Sequence, residues 1–119
     1  MMAYKKYRNR KCEAFGIQFD SEAERDRFFE LTAMQQDGLI HHLKCHPEFV
    51  LLEGFRDIDG KSERAIKYTA DFSYTDANGR VVVEDVKSSA TAQSRDWSLR
   101  RKLFKHRFPQ MALREVRVA

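Results

Sequence analysis

The stretch from Ile66 to Lys87 constrains this chain more than any other. In IKYTADFSY, residues 66–74, the apolar Ile66, Tyr68, Ala70, Phe72 and Tyr74 alternate with Lys67, Thr69, Asp71 and Ser73. A period of two is how a β-strand sorts side chains between two faces. The following run, RVVVEDVK at 80–87, is dense in valine, which favours the pleated backbone. Between them lies Asp76-Ala77-Asn78-Gly79, with Asp first and Gly fourth as in a type I turn. Gly79 can then take positive φ as the bulge of a three-residue hairpin loop. Pairing Asp76 with Arg80 sets the register so that opposite residue numbers sum to 156. Asp71 then faces Asp85 on one side of the sheet, with Cβ atoms roughly 5 Å apart.

The rest of the chain supplies partners for that hairpin. Residues 11–19 read as a short hairpin around Gly16. Asp20-Ser21 then opens a helix that runs to about Gln36, with Ser21 as N-cap and Gly38 as the stop. EFVLLE at 48–53 is a strand, and GFRDIDGKSER after it reads as an exposed, mobile polar loop. A second helix spans about 92–107, with Trp97, Leu103, Phe104 and Phe108 as its apolar side and Pro109 as its end. MALREVRV forms a last strand. With 119 residues and no repeats, the chain reads as a single domain, 1–119. Apolar residues at 42% and nine Phe are enough for a core. No apolar run is long enough to cross a bilayer, and the start lacks the apolar stretch of a signal peptide, which points to a cytoplasmic protein. Cys12 and Cys45 are expected as free, buried thiols.

Charge is distributed unevenly. Residues 1–11 form a basic arm with Lys5, Lys6, Arg8, Arg10 and Lys11 and no acid. Residues 95–107 carry Arg95, Arg100, Arg101, Lys102, Lys105 and Arg107 against Asp96 alone. Each segment is therefore +5 in a chain of net +4, which leaves −6 for the remainder. Either run alone reads as a solvated face. Two runs interleaved with Tyr4, Tyr7, Trp97 and Phe104 around an acidic middle suit a nucleic acid gripped at its phosphates.

Two carboxylates opposed across a strand pair repel, and a cation between them would offset the cost. Mg²⁺ suits hard oxygen ligands at about 2.0–2.1 Å, often one or two carboxylates with water and phosphate. Lys87 lies on the same face as Asp85, roughly 7 Å along the strand. Its ammonium stands where charge builds up in phosphodiester hydrolysis. An equally good reading of these residues is a solvated hairpin face with Lys87 as a surface ion-pair partner. Glu84 points to the opposite face and reads as structural. His41, His42, Cys45 and His46, with Cys12, invite a zinc reading, but their spacing matches no standard ligand pattern, and packing beside Pro47 accounts for them better.

The block from YTADF around Asp71 to VEDVK around Asp85 and Lys87 resembles the core motif of the PD-(D/E)xK nucleases, which include restriction enzymes and phage junction-resolving endonucleases. KYRNRK at 6–11, GIQFDSEAE at 16–24 and PEFVL at 47–51 resemble a phage and prophage family of uncharacterised domains assigned to that superfamily. The likeness covers roughly residues 4–117, with Ala70 where the motif's name has Pro and Asp85 where Glu is commoner. It implies an α/β, restriction-endonuclease-like core, a mixed sheet flanked by helices. It also implies one or two Mg²⁺ or Mn²⁺ ions at Asp71, Asp85 and the backbone of Val86, with Glu24 as a further acid from the first helix. Ser21-x-x-Glu24 also fits a capping box, in which Glu24 would bond the Ser21 N–H instead.

The expected function is a metal-dependent endodeoxyribonuclease with Glu24, Asp71, Asp85 and Lys87 as catalytic residues, acting as a homodimer on branched DNA such as Holliday junctions. Lys5, Lys6, Arg8, Arg10, Lys11, Arg100, Arg101, Lys102 and Lys105 are its expected phosphate contacts. The rival is a non-catalytic DNA-binding accessory of recombination, and an RNA-directed nuclease also fits the sequence.

Overall fold

The computed structural model describes residues 11–118. The expected arm residues Lys5, Lys6, Arg8 and Arg10 lie outside them. Strands β1 (Cys12–Ala14) and β2 (Ile17–Phe19) pair as a hairpin around Gly16. Helix α1 spans Glu22–Gln36, and the Ser21 hydroxyl accepts from the Glu24 N–H at 3.1 Å, the N-cap expected from the sequence. Its inward residues are Glu24, Phe28 and Leu31.

The chain then runs out and back as one long ribbon. Strands β3 (His41–Cys45), β4 (Glu48–Leu52) and β5 (Phe55–Arg56) lead out. Strands β6 (Ser62–Glu63), β7 (Ile66–Thr69) and β8 (Phe72–Thr75) lead back beside them. The polar loop expected at 54–64 is exposed, but it carries the β5–β6 pairing. The Asp57 carboxylate closes its turn by accepting from the Asp59 and Lys61 N–H groups, each at 2.9 Å. Strand β3 was not expected, because HHLKC lacks a clear alternation.

The expected continuous strand 66–74 is broken at Ala70-Asp71, where the ribbon bends. Backbone bonds bridge the bend: Ala70 N–H donates to Pro47 O at 3.0 Å and His46 N–H to Asp71 O at 2.9 Å. Tyr68 and Ala70 pack with Leu51, Val83, Trp97, Phe104 and Leu113. Phe72 and Tyr74 pack instead with Phe19, Phe28, Leu31, Ile40, Val82 and Ala112. An unbroken strand would put all four on one face. The bend lets one alternating segment fill two cores.

Strand β9 (Val81–Ser88) pairs with β8 in the expected register, Phe72 with Glu84 and Thr75 with Val81. Asp76 N–H donates to Arg80 O at 2.8 Å, and Gly79 has φ 81°. A short helix, α2 (Ser89–Ala92), and α3 (Arg95–Arg107) lead to β10 (Ala112–Val118), which lies parallel to β9. The helix expected from 92 begins at Arg95, because Ser94 turns out to the extended region and its hydroxyl accepts from Trp97 N–H at 3.1 Å. The result is a mixed α+β fold with a mixed sheet ordered β10-β9-β8-β3. Phe28 and Leu31 of α1 belong to one core and Trp97 and Phe104 of α3 to the other, so the helices cover opposite faces. Cys12 and Cys45 are free as expected, but only half-buried.

Glu84 is 2% exposed on the α1 side. Arg27 of α1 holds it with two bonds, Nε to Oε1 at 2.8 Å and Nη2 to Oε2 at 2.7 Å, and the Tyr74 hydroxyl donates to Oε2. A buried carboxylate stripped of its cation is strongly destabilising. Arg27→Met is expected to cost about 3 kcal/mol in urea unfolding, whereas Glu84→Gln, which keeps an acceptor for Tyr74, costs about 1 kcal/mol.

Candidate active site

The bend, β9 and the first turn of α1 meet at one place. Asp71 sits at the bend, one residue before β8, where its N–H donates to Glu84 O at 3.1 Å. Its Oδ2 accepts from Val86 N–H at 2.6 Å. Asp85 of β9 is 4% exposed and its carboxyl is in contact with that of Asp71. Asp85 Oδ2 accepts from the Tyr68 hydroxyl at 2.5 Å and lies 3.4 Å from Lys87 Nζ. The expected opposition of Asp71 and Asp85 is therefore present, but in the interior and not on a solvated hairpin face.

Glu24, 6% exposed, approaches from α1. No hydrogen bond joins its carboxylate to Ser21 N–H among the described residues, so only half of the capping box forms. Glu24 Oε1 is buried without a hydrogen-bond partner. His46 Nε2 lies 3.7 Å away, and the Asp71 carboxyl and the Asp20 backbone N–H also contact the Glu24 carboxylate. His46 has φ 56° at the bend, and its ring packs on Phe19 at 5.8 Å. His46, His41 and His42 are all exposed, and of the three His46 is the one that reaches the site.

Glu24, Tyr68, Asp71, Asp85 and Lys87 line a cleft of about 480 Å³, open to solvent, whose walls include Ser21, Thr91, Ser94, Trp97 and Arg100. Of the expected phosphate contacts, Arg100 is at the cleft and donates to Lys67 O at 2.8 Å. Lys102 and Lys105 are exposed on α3, and Lys11 is exposed ahead of β1. Arg101 differs: it is half-buried, its charge acts on Glu115, and its Nε has no hydrogen-bond partner.

Burial is the main reason that Asp71 and Asp85 hold protons far above the usual carboxylate range, each up to about 7. The charge of Glu24 adds to this for Asp71, and that of Asp71 for Asp85. The Val86 N–H pulls Asp71 the other way, and Tyr68 and Lys87 do so for Asp85. Burial also raises Glu24. Three carboxylates thus meet in a poorly solvated floor where Lys87 pairs with Asp85, a state that favours shared protons or an added cation. The donors are hard oxygens, which suit Mg²⁺ or Mn²⁺ better than a thiophilic metal. Glu24 Oε1 is buried and lacks a hydrogen-bond partner, an orphaned acceptor that such a cation would satisfy. Among the described residues no group of three or more His, Cys, Asp or Glu side chains is placed to hold a metal ion as it stands.

Sequence reasoning missed Tyr68 and Trp97 as members of the site. Trp97 lines the cleft, with Lys87 Nζ 4.2 Å from its ring centroid. Tyr68 reads as an apolar strand residue, and Trp97 as an apolar helix residue and one of the aromatics among the basic runs; both also pack in the core. Only their polar handles in an otherwise apolar row could have marked them.

Acids with folded pKa raised above the unfolded value bind more protons in the native state. Their stabilising contribution is complete below the unfolded value near 4 and is lost as pH rises through about 7. In EDTA, the melting temperature of the wild type should fall relative to Asp85→Asn between pH 5 and pH 8. Mn²⁺ should reverse that fall at pH 8. Parallel melting profiles for the two proteins would show that these carboxyls titrate normally.

No curated protein and no solved structure matches the chain. A family model described as "Protein of unknown function (DUF1064)" matches residues 4–118, and the chain belongs to that family.

Proposed function

We propose that the chain is a metal-dependent endodeoxyribonuclease with a restriction-endonuclease-like core, acting on branched DNA. The observation that carries the reading is the meeting of Asp71, Asp85 and Glu24 in one open cleft beside Lys87, with Asp85 and Glu24 buried and Asp71 half-buried. A fold gains nothing in stability from gathering three carboxylates around a lysine away from water. Such an arrangement is a functional-site signal.

Asp71, Asp85 and Glu24 would hold a divalent cation, with the Val86 carbonyl close by on the same strand. When bound, the cation supplies a lowered water pKa and polarises the phosphate. The chain's own residues do the rest. Val86 N–H fixes one oxygen of Asp71, and Tyr68 fixes one oxygen of Asp85, so the remaining oxygens are presented in a set orientation. Lys87 places a positive charge beside them, where charge develops on the phosphate. Arg100, at the cleft, and Lys102 and Lys105, on the same helix, supply backbone contacts to a polyanion. Two such chains related by a two-fold axis would bring two centres to one junction, one for each strand.

The decisive assay is cleavage of labelled linear, flap and four-way DNA in Mg²⁺, Mn²⁺ or EDTA. The wild type should cut with either metal and not in EDTA. Asp71→Asn and Asp85→Asn should lose cutting by on the order of 1,000-fold or more while keeping DNA binding. Glu24→Gln should fall as well, with its melting temperature unchanged. Binding without cutting under every metal would favour the accessory reading, and cutting of RNA alone would replace the substrate.

The basic helix makes a separate, salt-dependent contribution. Removing one phosphate-binding cation should lower the slope of log affinity against log salt by about 0.9 on duplex DNA. Lys102→Ala and Lys105→Ala are the suitable variants, since Arg101 is partly committed to Glu115. An unchanged slope in both would mean that DNA is gripped elsewhere.

A further inference from the structure

Lys87 is anchored from two sides. Its Nζ lies 3.4 Å from Asp85 Oδ2 and 4.2 Å from the Trp97 ring centroid. Trp97 in turn donates its indole N–H to Glu115 Oε2 at 2.9 Å, and Glu115 is bound at its other oxygen by Arg117 at 2.8 Å. Asp85 is anchored by the Tyr68 hydroxyl, whose own ring packs 5.7 Å from Trp97 and 5.8 Å from Phe104. Trp97 is 4% exposed and Tyr68 5%. A flexible four-carbon ammonium and a short carboxylate are thus each held by a rigid ring buried in the core on the α3 side.

We propose that Tyr68 and Trp97 are positioning residues that fix Asp85 and Lys87 separately, so that Tyr68 governs cation affinity and the Trp97–Glu115 pair governs turnover. The inference rests on the nuclease reading above. Its physical basis is the division of contacts. The Tyr68 hydroxyl donates to Asp85 Oδ2, the same oxygen that faces Lys87 Nζ at 3.4 Å, so it orients the carboxylate directly. Trp97 touches the ammonium through its π-face, an attraction that strengthens when water is excluded. Without it, Lys87 would keep its pairing with Asp85 and lose its second tether. A residue that orients a metal ligand typically changes metal affinity or activity by roughly 10- to 100-fold when removed. Neither ring need touch substrate to have such an effect.

The variants are Tyr68→Phe, which keeps the ring and removes the donor, and Glu115→Gln, which keeps both rings and weakens the hold on the indole. Mn²⁺ binding is measured by titration calorimetry without DNA, and kcat and KM by cleavage of four-way DNA at saturating Mn²⁺. Tyr68→Phe should weaken Mn²⁺ binding on the order of tenfold and recover most of its kcat at high Mn²⁺. Glu115→Gln should leave Mn²⁺ affinity unchanged and lower kcat without raising KM. Trp97→Phe should behave as Glu115→Gln does and supplies the same test if Glu115→Gln does not fold, whereas a Tyr68→Phe chain that does not fold would make Tyr68 a packing residue and overturn the division. Equal losses in both measurements for all three variants, or lowered melting temperatures alone, would make the rings mere packing and overturn the division. A wild type that neither binds Mn²⁺ nor cuts would sink the nuclease reading itself, an outcome distinct from either of these.

Discussion

The organising constraint is the placement of like charges in the interior at a bend. The β3–β8 ribbon could have run straight, with its two strands paired from His41 to Thr75. Instead it turns at His46-Pro47 on one strand and Ala70-Asp71 on the other, and backbone bonds stitch the turn from both sides. Pro47 cannot donate to a neighbour, and Ala70 offers the smallest side chain that still fills the gap, so both residues suit a corner. The corner puts Asp71 at the junction of two cores, within contact of the Asp85 carboxyl from β9 and the Glu24 carboxyl from α1. Desolvation there costs more than any nearby protein cation returns, and the rest of the site follows from how the fold tolerates that.

Much of the architecture was legible because its determinants are local. The 76–79 turn, the register of β8 on β9, the Ser21 cap and the last strand all depend on residues within a few positions of one another. Strand β3 was not legible, since its pairing with β8 depends on residues far along the chain and its own pattern is polar. The bend at Ala70-Asp71 was hidden for a subtler reason. Apolar and polar residues alternate straight through it, and only the three-dimensional distribution of cores shows that Tyr68 and Phe72 face different helices. Helix α3 began late because Ser94 competes as a cap, a weak signal next to the charges around it.

The candidate site was legible in its acids and its lysine, and less so in what holds them. Asp71, Asp85 and Lys87 could be placed together from a period of two and one turn. Glu24 was ambiguous, because the same position serves a cap or an inward stripe. The structure shows how both fit: Ser21 caps α1 through its own hydroxyl, and the Glu24 carboxylate lines the cleft while it contacts the Asp20 backbone and the Asp71 carboxyl. Tyr68 and Trp97 were not legible because an aromatic residue in an apolar row is sufficiently explained by burial. Their hydroxyl and ring face matter only once Asp85 and Lys87 are known to lie beside them.

Glu84 and Asp85 are neighbours on β9, both nearly inaccessible, and they point to opposite faces of one sheet. On the α1 face, Glu84 receives a bidentate guanidinium and a tyrosine hydroxyl, a complete internal neutralisation that leaves nothing for a ligand to do. On the other face, Asp85 receives a tyrosine hydroxyl and a lysine that is shared with an indole ring, while two more carboxyls crowd toward it. The same fold therefore contains the means to neutralise a buried carboxylate fully and employs it one residue away. Incomplete neutralisation at Asp85 is then not a limit of the scaffold, and it coincides with the side that opens to a cleft. A charge deficit that faces solvent, held by rigid rings from behind, is what a centre needs if it is to take up a cation and a phosphate together.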